Sequence, residues 1–129
     1  MRRNNYVEMN IDEMKDVKET WQIHLKLFSR KLRKLRNIEE TKANRCDIHQ
    51  LEMSYTYCIN TISDIITIYK ELIDLAEMCE LGEDYFLKKI KEVQRLHSNF
   101  RLEANKKNIK DLTFKLNLEI LTNKHNLNM

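Results

Sequence analysis

The sequence predicts an all-α protein built from long helices, and two observations carry that prediction. The chain of 129 residues contains one glycine, Gly82, and no proline, so it lacks the residues that form most turns of β-hairpins. Apolar residues also recur at spacings of three and four over long stretches, as in helices that pack along one stripe. We therefore expect a single helical domain over 1–129, with three long helices in an elongated antiparallel bundle or coiled coil.

The first helix is predicted over about 11–36. Its seam has Lys18 as the only polar member: Ile11, Met14, Lys18, Trp21, Leu25, Phe28, Leu32 and Leu35. This spacing does not continue into the next seam, so we expect a turn between Arg36 and Asp47. Asn37 and Asn44 suit such a turn because asparagine tolerates the left-handed conformation. The alternative is that helices 1 and 2 are partly continuous, with the bundle completed by oligomerisation.

The second helix is predicted over about 47–80, where an apolar seam runs without interruption. Its members are Ile48, Leu51, Tyr55, Cys58, Ile62, Ile65, Tyr69, Leu72, Ala76 and Cys79. A long helix with such a stripe is stable only when other apolar surface covers it. Asp47 and Gln50 have the spacing of a capping box at its start.

The third helix is predicted over about 84–121, followed by a frayed tail of residues 122–129. Gly82 precedes it, at the position expected for the residue that follows the end of helix 2. Its seam comprises Phe86, Ile90, Val93, His97, Phe100, Ala104, Lys107, Asp111, Phe114, Leu118 and Leu121. Where this seam becomes polar, a second stripe begins: Ile109, Leu112, Leu116 and Ile120. The end of helix 3 is therefore expected to be apolar on two faces.

Charge is distributed unevenly along the chain. Residues 1–45 hold twelve basic and seven acidic side chains, 46–80 hold one and seven, and 81–129 hold ten and six. An acidic central helix between two basic helices favours an arrangement in which helix 2 contacts both neighbours. Exposed ion pairs contribute only about 0–1 kcal/mol each, so this pattern acts more on pairing specificity than on stability.

The leading functional hypothesis is a non-enzymatic helical subunit or adaptor that binds proteins through coiled-coil surfaces. A three-helix bundle covers only one face of helix 3, so its second stripe favours a protein partner or self-association. Seam aromatics are also interface candidates, although core filling is the simpler interpretation. The predicted interface residues are Ile109, Leu112, Leu116, Ile120 and Trp21.

A basic stretch in helix 1 supports an alternative, the binding of nucleic acid or an acidic membrane surface. Its six cations are not separated by any acid: Lys26, Arg30, Lys31, Arg33, Lys34 and Arg36. No aromatic residue lies among them on the exposed face, and no nucleic-acid-binding motif is present. A solvated helix face is the simpler interpretation, so nucleic acid is not the favoured partner. A third hypothesis is a viral or parasite effector that binds a host helix.

Neither enzyme activity nor a cofactor or metal site is predicted. Cys46 and His49 share one helical turn, but a zinc site needs further ligands at suitable spacing. There is no Glu-x-x-His motif, and one glycine cannot form a phosphate-binding loop. No apolar run is long enough for a transmembrane helix, and no signal peptide pattern is present. A cytoplasmic or nuclear protein with reduced cysteines is expected.

Overall fold

The computed structural model describes residues 11–78, 82–107 and 109–116, and every regular element among them is helical. Helix α1 covers Ile11–Arg36, α2 covers Arg45–Glu77 and α3 covers Glu83–Ala104. The described part of a fourth helix, α4, comprises Lys107 and residues 109–116. The all-α prediction is confirmed, but the described residues form four packed helices where three were predicted.

Ion pairs establish the direction of the helices. Lys15, near the start of α1, pairs with Glu77 at the end of α2 (2.9 Å between Nζ and Oε1). Arg36, at the end of α1, pairs with Glu52 near the start of α2 at 3.5 Å. Helices α2 and α3 are joined near their connection by the ion pair Lys89–Glu71 at 3.7 Å, and at their other ends by the hydrogen bond from Ser54 to Glu103 at 3.0 Å. Helices α1, α2 and α3 therefore alternate in direction.

The core is centred on the seam of α2, which packs against both neighbouring helices. Its least exposed members are Leu51, Cys58, Ile62, Ile65 and Leu72. Helix α1 contributes four residues spaced by seven, and α3 contributes three: Met14, Trp21, Phe28 and Leu35, then Phe86, Ile90 and Val93. Burying one such side chain fully stabilises the fold by about 1.5–3 kcal/mol, so this continuous burial explains why α2 stays helical throughout.

The turn between α1 and α2 is held by the buried side chain of Asn44. Its Oδ1 accepts a hydrogen bond from the backbone N–H of Thr41 (2.7 Å), and its Nδ2 donates to the carbonyl of Glu39 (3.1 Å). The Thr41 hydroxyl accepts from the backbone N–H of Asn44 in return. The predicted turn is present, and α1 and α2 are separate helices. Helix α2 begins at Arg45, so Asp47 lies inside it and is not its cap.

Gly82 is the residue that precedes α3, and it does not end α2. Helix α2 ends at Glu77 with Met78 as its cap, and Gly82 is the N-cap residue of α3. The backbone of Gly82 is extended (φ −77°, ψ 145°), and its carbonyl accepts a hydrogen bond from the N–H of Phe86. The predicted role of this glycine was wrong, because the position does not require the left-handed conformation that favours glycine.

Helix α3 ends at Ala104, which corrects the predicted helix over 84–121. Asn105 is the C-cap residue, with a non-helical backbone (φ −106°, ψ 10°). Its Nδ2 and its backbone N–H donate to the carbonyl of Arg101, at 2.9 and 3.1 Å. Residues 117–121 of the predicted helix, and the tail 122–129, lie outside the described residues.

The break after Ala104 changes which stripe faces the core. In a continuous helix, the five residues from Ala104 to Ile109 correspond to a rotation of about 500° about the helix axis. Ile109 would then lie about 140° around the helix from Ala104. Because the chain turns at Asn105, Ile109 and Leu116 are instead buried in the same core cluster. The original seam turns outward, with Phe114 66% exposed. Both apolar faces predicted for the end of helix 3 therefore lie on α4, and only the stripe of Ile109 and Leu116 faces the core.

Candidate interaction surface

Three of the predicted interface residues are buried within the chain itself. Trp21, Ile109 and Leu116 belong to the core cluster, and Leu112 is partly buried against it. Ile120 lies outside the described residues. Two polar contacts hold α4 against α2: Tyr55–Thr113 at 2.9 Å and Asp47–Lys115 at 3.0 Å. The described members of this set are therefore not a free surface in the folded chain.

Trp21 is the centre of an aromatic cluster that joins α1 to α3. Its ring packs edge-on against His97 and Phe100, with centroids 5.0 and 5.3 Å away, and contacts His24 at 5.3 Å. Phe28 extends the cluster, again by an edge contact with Phe100 at 5.3 Å. Aromatic pairs in this geometry contribute about 0.5–1.5 kcal/mol beyond their burial. The position of Trp21 is thus explained by packing.

The described cysteines and the possible metal ligands form the next group of candidate residues. Burial, with a smaller effect of the nearby Glu103 carboxylate, raises the pKa of the Cys58 thiol to about 11, so it stays protonated near neutral pH. The other described cysteine, Cys46, is exposed. Among these residues no three His, Cys, Asp or Glu side chains are grouped to hold a metal ion. None of the described helices has the length and apolar character needed to span a membrane.

Two exposed side chains on α2 form what we call the α2 ridge, Met53 and Tyr57. They lie one helical turn apart and are 63% and 44% exposed. On one side, the ridge borders a groove of about 340 Å³ lined also by Gln50, Ser54, Glu103, Lys106 and Ile109. On the outer face of α2 it borders a groove of about 380 Å³ lined also by His49, Glu52, Thr56 and Asn60. The ridge is therefore an apolar projection between two grooves with polar rims.

A third cleft, of about 370 Å³, lies where α3 ends and α4 begins. Phe28, Tyr55 and Cys58 are among its lining residues, and Lys31 and Lys110 also border it. Ser54 and Glu103 line both this cleft and the first groove of the α2 ridge. Their hydrogen bond of 3.0 Å joins α2 to the end of α3. This cleft and the first groove of the α2 ridge are thus neighbours at the break between α3 and α4.

All six cations of the predicted basic stretch of α1 are exposed. Arg36 is the only one of the six with an ion pair in the described part of the chain. The ammonium group of Lys31 lies 4.8 Å from the ring centre of Phe28, in a cation–π contact. The remaining four face solvent: Lys26, Arg30, Arg33 and Lys34.

We consider two regions of the described surface as candidates here, the α2 ridge and the basic face of α1. Comparisons with family models, with curated proteins and with solved structures found no match for this chain. The sequence reasoning missed Met53 and Tyr57 because they lie off the seam. The available signal was a large apolar pair at a spacing of four on a face otherwise occupied by polar residues.

Proposed function

We propose that this protein is a non-enzymatic helical subunit or adaptor, and that it binds a helix of a partner protein through the α2 ridge. The observation that carries the proposal is the exposed pair of Met53 and Tyr57 with a groove on each side. A ridge between grooves is the surface that a second helix packs against. Function in this proposal is binding alone, with no chemical step, in the cytoplasm or nucleus.

The composition of this surface supports a protein partner. Tyrosine and methionine are enriched at protein interfaces, whose centres are apolar and whose rims are polar. Met53 and Tyr57 supply the centre, while Gln50, Lys106 and Asn60 are among the polar residues of the surrounding grooves. The opposite face of α2 is the core seam, so the ridge sits on a helix that its own chain already fixes. A preorganised surface loses less entropy on binding than a mobile one.

Affinity purification of the whole chain, followed by cross-linking of the co-purifying proteins, tests the proposal. The test variant carries Met53→Glu and Tyr57→Glu, which place charge at the centre of the surface. Leu102→Glu is the matched control, because Leu102 is more exposed than either ridge residue but lines none of the three clefts. We expect a partner that cross-links to α2 and is lost with the ridge variant only. Identical partners for all three proteins, with circular dichroism unchanged, would contradict the proposal.

The basic face of α1 supports a second candidate function, binding of nucleic acid or an anionic membrane. The observation that favours this candidate is that four of its cations are exposed and form no ion pair within the described residues: Lys26, Arg30, Arg33 and Lys34. Cations in this state can neutralise phosphate groups, and such binding weakens steeply as salt increases.

Binding of DNA, RNA and anionic vesicles at low and high salt tests this second candidate. Reversing three cations, Arg30→Glu, Arg33→Glu and Lys34→Glu, should abolish binding. The control reverses three exposed cations of α3 and keeps the same net charge: Lys88→Glu, Lys91→Glu and Arg95→Glu. Equal losses in both triple variants would indicate a general charge effect and exclude a site on α1.

A further inference from the structure

The solvent face of α1 carries a second heptad stripe in addition to its core seam. We call it the outer stripe, and all its members are exposed: Asp16, Thr20, Ile23, Leu27, Arg30 and Lys34. Consecutive members are four, three, four, three and four residues apart, which is the spacing of a coiled-coil seam. None of the described helices covers this stripe, although Ile23 and Leu27 at its centre are 54% and 44% exposed.

The spacing of the outer stripe is symmetric about position 25. Ile23 and Leu27 lie two residues to either side of that position, and Thr20 and Arg30 lie five to either side. Asp16 and Lys34 lie nine to either side. A two-fold axis through position 25, perpendicular to α1, therefore brings every member opposite its counterpart in a second, antiparallel copy of the helix.

The chemistry of the stripe matches its symmetry. About this axis, Ile23 of one copy meets Leu27 of the other, and the contact is made twice, so four aliphatic side chains meet at the centre. Asp16 of one copy meets Lys34 of the other, also twice. None of Asp16, Arg30 and Lys34 forms an ion pair within the described residues, so these charges are available. The surface is thus self-complementary, as a two-fold symmetric interface must be.

We propose that two copies of this chain associate as an antiparallel dimer through the outer stripe of α1. A second copy explains the features of the stripe better than a polyanion does. An anionic membrane or nucleic acid would be repelled by Asp16, and phosphate groups gain nothing from the aliphatic pair at the centre of the stripe. The dimer uses no residue of the α2 ridge, so the inference goes beyond the proposed function and each dimer presents two ridges.

Sedimentation equilibrium of the full chain over a range of concentrations tests the proposal. The variants that it compares exchange the charges of Asp16 and Lys34. Asp16→Lys alone and Lys34→Asp alone each replace two attractive contacts by two repulsive ones, and we expect association to weaken about three- to tenfold. The double variant Asp16→Lys, Lys34→Asp restores both contacts and should restore association. The control exchanges two exposed charges of α2, Asp64→Lys with Lys70→Asp, and should leave it unchanged.

A chain that remains monomeric at every concentration would overturn the proposal. So would a double variant that associates no better than the single ones, since the contact between Asp16 and Lys34 would then be absent. Association abolished by Ile23→Asp with Leu27→Asp, in a variant whose circular dichroism is unchanged, would support it. Association should persist in the variant with Met53→Glu and Tyr57→Glu, so failure of the dimer and failure of the proposed function are separate results.

Discussion

The hydroxyl of Tyr55 in α2 lies 2.9 Å from the hydroxyl of Thr113 in α4. The Thr113 hydroxyl also donates a hydrogen bond to the carbonyl of Ile109, at 2.8 Å. Because a threonine hydroxyl has a single proton, Tyr55 is the donor to Thr113. The bond joins residues far apart in sequence and fixes α4 on the start of α2, so that Ile109 and Leu116 reach the core.

Tyr55→Phe removes this bond and keeps the ring. We expect the free energy of unfolding to fall by about 0.5–1.5 kcal/mol, and amide hydrogen exchange to accelerate most in α4. Urea unfolding and exchange mass spectrometry measure the two effects. Tyr57→Phe is the control, since the Tyr57 hydroxyl makes no hydrogen bond within the described chain. Equal effects of the two variants would show that the bond does not hold α4.

Leu116→Ala and Phe114→Ala test which stripe of α4 faces the core. Leu116 is 2% exposed, and its truncation should cost about 2 kcal/mol or more because it leaves a cavity. The exposed Phe114 should tolerate alanine within about 0.5 kcal/mol. Chemical denaturation of both variants measures the difference. The reverse order is expected for the continuous helix predicted from sequence, and would refute the break at Asn105.

Gly82→Ser should stabilise the protein by about 0.5–1 kcal/mol. Serine is a better N-cap than glycine, and it also reduces the conformational freedom of the unfolded chain. A Cβ atom at position 82 would meet no other atom within 4 Å, and the extended backbone suits any residue. Thermal or urea unfolding measures the change. A marked loss of stability would mean that this position needs glycine.

Protonation of His97 should destabilise the fold. Burial beside Trp21, with the charge of Arg101 and the nearby His24, lowers the pKa of His97 below its ordinary value of about 6.5. The unfolded chain therefore binds this proton at a higher pH than the folded chain does. Stability is fully present above pH about 6.5 and is lost as the pH decreases from there through the folded-state pKa. NMR titration should report the lowered pKa, and His97→Gln should reduce the pH dependence of unfolding between pH about 5 and 7. A folded-state pKa above 6.5 would contradict this account.

Much of the core was predictable because, in an uninterrupted helix, the sequence spacing of two residues sets the angle between their side chains around the helix axis. The seam members Met14, Trp21, Phe28 and Leu35 of α1 are buried as their spacing predicts, and so is nearly all of the described α2 seam. The end of helix 3 was not predictable in this way. Asn105 is compatible with a helix interior, and only its non-helical backbone angles (φ −106°, ψ 10°) show that the helix stops. The residues of α4 that the structure describes then lie on different faces from those a continuous helix would give them.

The candidate surface was less predictable than the core. The basic face of α1 is visible in the sequence, because charged side chains of a packed helix remain in water. The stripe of Ile109, Leu112 and Leu116 seemed to need a second chain, since no partner helix was evident within a three-helix bundle. The α2 ridge was overlooked because Met53 and Tyr57 lie off the apolar seam, and a single pair at a spacing of four is a weaker signal than a repeated stripe.

The sequence by itself determined that this chain is helical and which stripes are apolar, because composition and spacing act locally along each helix. Only the tertiary structure decided what covers each stripe. The same spacing is satisfied by a neighbouring helix of the same chain, as for Ile109 and Leu116, or remains exposed, as for Ile23 and Leu27. Burial depends on where turns such as the one at Asn105 redirect the chain, and this is decided by how all the helices pack together.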